Sequence, residues 1–197
     1  MTDRGSQHRG ASRRGKASAA QTRAAEHTLL GLLAMPDIPT TGVHGYDLSR
    51  QFSQGVLAEI IRLEPGMLYH YLKSLAKQDL IVTTVERQVS RPDRQMHAIT
   101  EAGRAALSEW LLEPVRATRE LRLEFLLKLY LARHRSDEEA HQLIEAQREM
   151  IARLMDSLEL QQADIPADDA DALFRRQVLS LRIAQNRAAL DWLDSLE

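Results

Sequence analysis

Apolar positions recur along this chain with a helical period for most of its length and switch once to a strand-like rhythm. In residues 24–35, Leu29, Leu32 and Leu33 share one helical face before Pro36, which predicts a first helix ending there. Residues 36–42 hold Pro, Thr and Gly and read as a loop. Tyr46, Leu48 and Phe52 predict a short second helix over 45–53, stopped by Gly55. A third helix opens at Pro65, a residue preorganised for the first helical turn, and runs to about residue 78. Its core stripe is Leu68, Leu72 and Leu75, spaced i, i+4 and i+7. The period then changes, because 80–89 is rich in Val, Ile and Thr and 94–99 is a second extended run. Ser90-Arg91-Pro92-Asp93 between them is a turn by composition. This predicts a two-stranded hairpin, the only sheet the pattern offers. Thr100 stands ready to cap the following helix, which Pro114 closes.

The rest reads as helix. Residues 119–134 are apolar on nearly every face, which predicts burial against more than one neighbour. Ser136-Asp137-Glu138-Glu139 opens a long helix with Leu143, Gln147, Met150, Leu154 and Leu158 in a 3–4 rhythm. Pro166 and four aspartates break it over 163–171. A last helix carries Phe174, Val178, Leu181, Gln185, Ala188 and Trp192 on one stripe. The fold class is therefore mainly α. Three helices and a hairpin wing form an N-terminal winged helix-turn-helix, followed by an α-helical dimerisation domain. The expected division is a disordered basic arm at 1–23, a DNA-binding domain at 24–114 and the helical domain at 115–197.

Charge sharpens this picture. The chain's formal charge is −2, but Arg4, Arg9, Arg13, Arg14, Lys16 and Arg23 against Asp3 give 1–23 a net +5, leaving −7 for the remainder. An isolated basic arm on an acidic body is either a tail that meets phosphate or a solvated leader. There is no cysteine, so disulfides, thiolate catalysis and cysteine-ligated zinc are excluded. No apolar run approaches the roughly 18–20 residues of a membrane span, and the basic, polar start lacks the apolar core of a signal peptide. A cytoplasmic location with no membrane partner is the expectation.

The third helix has a second stripe opposite its core face. Gly66, His70, Lys73 and Lys77 fall at i, i+4, i+7 and i+11. It is small where the helix starts, so backbone amides there can approach a phosphate. It is basic further on, where His and Lys can donate to base edges or phosphates. Tyr69 and Tyr71 flank it. Arg87, Arg91 and Arg94 lie at the hairpin tip, placed to enter a minor groove. A lysine on an amphipathic helix is ordinarily just a solvated face, but helix face, basic hairpin and basic arm together point to double-stranded DNA.

Enzymatic readings find little support. His134, Glu138 and His141 are spaced to share a helical face and suit a metal, yet such surface clusters are mostly solvated. No metalloprotease helix, phosphate-cradling Gly loop or nucleophile elbow is present. Asp164, Asp168, Asp169 and Asp171 match a calcium loop in charge but not in spacing. No cofactor, metal or catalytic residue is expected. A helical protein-interaction module without specific DNA binding is the alternative.

With these residues in view, the sequence resembles the PadR family of transcriptional regulators. The likeness rests on His44-Gly45-Tyr46-Asp47-Leu48, Pro65-Gly66-Met67-Leu68-Tyr69, Leu72-Lys73-Ser74-Leu75, Leu80-Ile81 and Ile99-Thr100-Glu101-Ala102-Gly103-Arg104. The helical tail is similar to that of the family's larger members. The resemblance implies a homodimer, a two-fold operator, repression, and in some members release by a small aromatic effector. It adds Tyr46, Met67 and Tyr69 to the DNA-contacting set. Three positions depart from the family pattern: Met67 replaces a small hydroxyl residue, Asp79 a glycine and His97 an aromatic. Trp110, Phe125, Tyr130 and Trp192 are the aromatics available to line an effector cavity, core packing being the ordinary role of each. Leu29, Leu33, Leu126, Phe174, Val178, Leu181 and Trp192 offer more apolar surface than a helical appendage buries alone, so they are expected at a dimer interface.

Overall fold

The computed structural model describes residues 8–86, 94–166 and 170–196. Its N-terminal part runs α1 (His8–Leu33), β1 (Val43–His44), α2 (Gly45–Gln54), α3 (Leu57–Ile60), α4 (Pro65–Lys77), β2 (Ile81–Glu86), β3 (Arg94–Ile99) and α5 (Glu101–Leu112). A 3-10 turn (Thr118–Glu120) and a turn of π-helix (Leu121–Phe125) lead into α6 (Leu126–Arg135), α7 (Asp137–Ala163) and α8 (Ala172–Asp194). The winged helix-turn-helix followed by helices is therefore the architecture read from the periodicity.

Three local differences have physical causes. First, α1 reaches back to His8, into the segment expected to be a disordered arm. That stretch holds Ala11, Ala17, Ala19 and Ala20 and no proline, and alanine is the strongest helix former. Second, the sheet has three strands in the order β1-β3-β2, not two. Val43 pairs with His97 and His44 with Met96, a bridge of two residues too short to leave a period-2 signal. Gly42, at φ +96, makes the bend into it where a Cβ would run into the His97 carbonyl. Third, the apolar segment at 119–134 is not one α-helix but passes through the 3-10 and π turns before α6.

α6 explains its own composition. Leu127 and Leu131 join the core built from α1, α2, α4 and α5, around Leu29, Leu48, Leu68 and Trp110. Phe125, Leu129 and Ala132 join a second core with Leu143 and Ile144 of α7 and Leu193 of α8. The helix is buried on two sides, as its unbroken apolar character predicts. Ser136 caps α7 by accepting from the Glu139 amide at 3.0 Å, and Thr100 caps α5 from Gly103 at 3.1 Å. Asp79 holds φ 57 where α4 turns into β2, the left-handed position at which glycine has no steric penalty. Its carbonyl accepts from the Thr100 hydroxyl at 2.8 Å.

Candidate nucleic-acid interface

On α4 the heptad-like spacing sorts side chains cleanly into two faces. Leu68, Tyr71, Leu72 and Leu75 are buried, and that fixes the helix's rotation about its axis. Gly66, Met67, Tyr69, His70, Lys73 and Lys77 are consequently all exposed. Tyr71 departs from expectation, since it sits 6% exposed in the core rather than flanking the outer face. Among the described residues a Cβ on Gly66 would meet nothing within 4 Å, so the helix start is open rather than packed. Among the described residues Lys73 and Lys77 form no ion pair or hydrogen bond, leaving both ammonium groups to solvent or a ligand.

The wing and α2 adjoin this face. Arg94 is exposed at the start of β3, paired in register with Glu86. Arg87 and Arg91 lie outside the described residues. A cleft of about 610 Å³ runs between the N-terminus of α2, α4 and the tip end of β3, lined by Gly45, Tyr46, Tyr69, Arg94 and Gln95 among others. Gly45 lets the Tyr69 ring lie close: a Cβ on it would stand 2.7 Å from that ring, which would have to shift. The cleft brings Tyr46 and Arg94, more than forty positions apart in sequence, to one surface with Tyr69. Asp47 and His44 line it too, and His44 lies 3.7 Å from Glu86.

Beneath this surface sits His97, 3% exposed in the middle strand of the sheet. Its Nδ1 is 3.0 Å from the Thr83 hydroxyl, while its Nε2 is buried without a partner among the described residues. Burial lowers its pKa, and the neighbouring His44 lowers it further. The sequence flagged His97 only as a departure from an aromatic pattern.

The residues expected at an effector cavity separate. Trp110 and Phe125 are both fully buried. The Trp110 indole Nε1 donates to Glu124 at 2.9 Å, Lys128 Nζ lies 4.8 Å from its ring centroid, and the His27 ring lies 5.1 Å away. Lys128 is itself 1% exposed, 3.2 Å from Glu124 and donating to the Glu113 carbonyl. Burial lowers its pKa while Glu124 opposes that shift. The sequence signal for this buried pair was a lone Lys in an apolar run with Glu four residues before it. Phe125 meets Trp192 edge-on at 5.8 Å. Tyr130, unlike Trp110 and Phe125, lies half-buried on a crevice with the end of α1 and α2.

The proposed interface residues separate as well. Leu29 and Leu33 are 0% and 3% exposed inside the protomer's own core, so they cannot also face a partner. Leu126 and Trp192 are half-buried. Phe174, Val178 and Leu181 are 67%, 40% and 61% exposed. The inner face of α8 is Leu179, Ile183, Asn186, Ala189 and Leu193, one step round the helix from the stripe expected at the dimer interface. His134, Glu138 and His141 do not share a helix, because Ser136 at φ −165 breaks the chain between α6 and α7. Among the described residues no helix is long and apolar enough to cross a membrane.

Known proteins similar to this chain are transcriptional regulators. Residues 37–109 match the model of the transcriptional regulator PadR-like family, and 121–197 that of the virulence activator alpha C-terminal region. A probable transcriptional regulator of Mycobacterium tuberculosis is 27% identical over 165 residues, covering 77% of this chain and 87% of the relative. The negative transcriptional regulator PadR of Bacillus subtilis is 26% identical over 125 residues, 64% of this chain and 65% of the relative. The crystal structure of B. subtilis PadR in complex with operator DNA superposes with a TM-score of 0.43 at 22% identity, covering 87% of this chain and 95% of that one.

Proposed function

The chain belongs to the PadR-like family of transcriptional regulators, and on that premise we propose that it is a cytoplasmic repressor binding a palindromic operator as a homodimer. Family membership makes it a regulator and not an enzyme. The observation that carries the DNA reading is the outer face of α4. Gly66, Lys73 and Lys77 are exposed on α4 together with Tyr69, and Tyr69 shares a cleft with Tyr46 and Arg94. In this reading His70 and Lys73 face base edges, Lys77 and the α4 start meet phosphate, and Met67 packs against the groove wall. Arg87, Arg91 and Arg94 form the wing's contribution. Residues 24–114 are the DNA-binding part and 115–197 the dimerisation part.

The exposed apolar residues of α8 support the dimer, because a protomer alone leaves Phe174, Val178 and Leu181 in water. Repression is favoured by the B. subtilis relative, which is a negative regulator. A small aromatic effector releases the operator. The test is footprinting of the full chain on DNA upstream of its own coding sequence. Two protected half-sites one helical turn apart, about 34–36 Å, are expected at a stoichiometry of one dimer per site. Uniform, unphased protection would contradict the reading.

A further inference from the structure

The basic N-terminal stretch of α1 has no part in the operator contacts described so far. Residues 8–23 hold Arg9, Arg13, Arg14, Lys16 and Arg23 and no acidic residue, whereas the chain from residue 24 onward is net −7. The stretch continues a helix whose later residues, from Ala24 to Leu33, join the core. It therefore carries its charge on a rod roughly 22 Å long, at about 1.5 Å per residue. The direction of the rod follows from what α1 packs against. Leu32, in its last turn, lines a crevice with Val43 of β1 and Leu48 of α2. Arg23, earlier on the helix, is 3.0 Å from Glu113 at the C-terminal end of α5. The opposite end of α5 lies under the wing, where Gly103 backs onto the Leu80 carbonyl and Ile99. The rod thus leaves the body on the side of the later helices, away from the sheet and α2. At its root, Arg23 and Arg116 share one carboxylate: Glu113 lies 3.0 Å from the first and 3.7 Å from the second, whose side chains are 50% and 80% exposed. Arg119, 85% exposed, stands 3.9 Å from Glu120, whose carboxylate also accepts from the Ala117 amide at 3.2 Å. Three exposed guanidinium groups share two carboxylates where the rod begins.

We propose that this rod and its root form a second DNA-binding surface, indifferent to sequence, which holds a second duplex segment while α4 holds the operator. The chain would then bridge two stretches of DNA, an activity beyond operator binding. Charge of a single sign along a helix matches a linear polyanion, and each phosphate it neutralises releases counterions to solvent. The acidic body confines the contact, because it repels a duplex wherever cations are not concentrated. Since the rod leaves away from α2 and the wing, it does not lie along the duplex that α4 reads. A second copy of this chain is the poorer occupant, because carboxylates of its long helices are engaged within the protomer. Arg148 holds Glu145 at 2.7 Å and Asp194 at 2.8 Å, Arg153 holds Glu149 at 3.5 Å, and Arg187 holds Glu159 at 3.6 Å.

The experiment is a two-duplex capture assay. The footprinted operator is immobilised, loaded with the full chain and challenged with a labelled duplex of scrambled sequence. Wild type is compared with Arg9→Gln/Arg13→Gln/Arg14→Gln/Lys16→Gln and with Arg116→Gln/Arg119→Gln. Glutamine is as good a helix former as the residues it replaces. Deletion of residues 1–18, which removes no core side chain, repeats the comparison without relying on the substitutions. Wild type should retain the scrambled duplex at low salt and weaken about a hundredfold between about 50 and 200 mM salt, the dependence of roughly four phosphate contacts. The quadruple variant and the deletion should capture about tenfold less or lower, while loading the operator within about twofold of wild type. The double variant should lose several-fold. No capture by wild type, or equal capture by the quadruple variant, overturns the surface. So does a loss of operator loading that matches the loss of capture, because the rod would then lie along the operator itself. Dissociation of the dimer in the quadruple variant, seen by light scattering, overturns it in favour of a second copy as the occupant. Operator preference without capture overturns the bridging surface and leaves the regulator. Capture that depends on the four cations, in a chain with no preference for the operator, supports the surface and overturns the proposed function.

Discussion

Replacing Gln147 by methionine should destabilise the chain by about 2–4 kcal/mol. The side chain is fully buried on α7 and faces Val115, in the link that joins the DNA-binding part to the later helices. Its Oε1 accepts from the Val115 amide at 2.8 Å, and its Nε2 donates to the Val115 carbonyl at 2.9 Å. One amide thus satisfies both polar groups of a residue that is 5% exposed. Methionine keeps the length and volume but offers neither partner. Two buried backbone groups are then orphaned at about 1.5–2.5 kcal/mol each, partly offset by about 1 kcal/mol from the more apolar side chain. The assay is urea unfolding at one fixed chain concentration, since association makes apparent stability concentration-dependent. With a slope of roughly 2 kcal/mol/M for a chain of this size, the midpoint should fall by about 1–2 M. Gln142→Met, on the exposed side of α7, serves as the control and should stay within about 0.5 kcal/mol. A Gln147→Met midpoint indistinguishable from wild type, at unchanged slope, would refute the bridging role.

Two further outcomes follow from the same structure. Burial lowers the pKa of His97 below the ordinary value of 6.5, so the folded chain binds fewer protons than the unfolded chain as pH falls below it. The stability this group contributes is full above that value and lost on acidification; His97→Phe should flatten the pH dependence of thermal unfolding below about pH 6.5, and an unchanged profile would remove the assignment. Phe174→Asp combined with Leu181→Asp places charge on exposed α8 positions that cost the protomer little, and light scattering at micromolar concentration should show monomers where wild type shows dimers. A dimer that survives both substitutions would put the interface elsewhere.

Legibility in the sequence followed the range of the interactions. The two faces of α4 could be read because Leu68, Leu72 and Leu75 settle the helix's rotation locally, and the exposed His70, Lys73 and Lys77 are then forced. Thr100 was legible as a cap, and Ser136 as the start of a helix, because capping is a matter of three neighbouring residues. β1 was not, since its pairing with β3 joins residues about fifty positions apart and spans only two of them. The inner face of α8 was not read from the sequence, because Leu179, Ile183 and Phe174, Val178 are two apolar stripes on one helix, and only contact with α7 decides between them. Trp110 likewise could not be assigned to core or cavity until Glu124, Lys128 and His27 were seen around it.

The central claim is that the outer face of α4 reads DNA, and the salt dependence of operator binding by Lys73→Ala tests it most directly. Affinity should be titrated for wild type and variant on the footprinted duplex and on a scrambled one, at several salt concentrations. If Lys73 reads a base, the variant should lose about 1–3 kcal/mol on the operator and less on the scrambled duplex. If it meets phosphate alone, both duplexes should weaken equally, with the slope of log affinity against log salt reduced by about one. Affinity and slope unchanged on both duplexes would contradict the account, because an unpaired lysine at the centre of a groove-reading face cannot be silent in both.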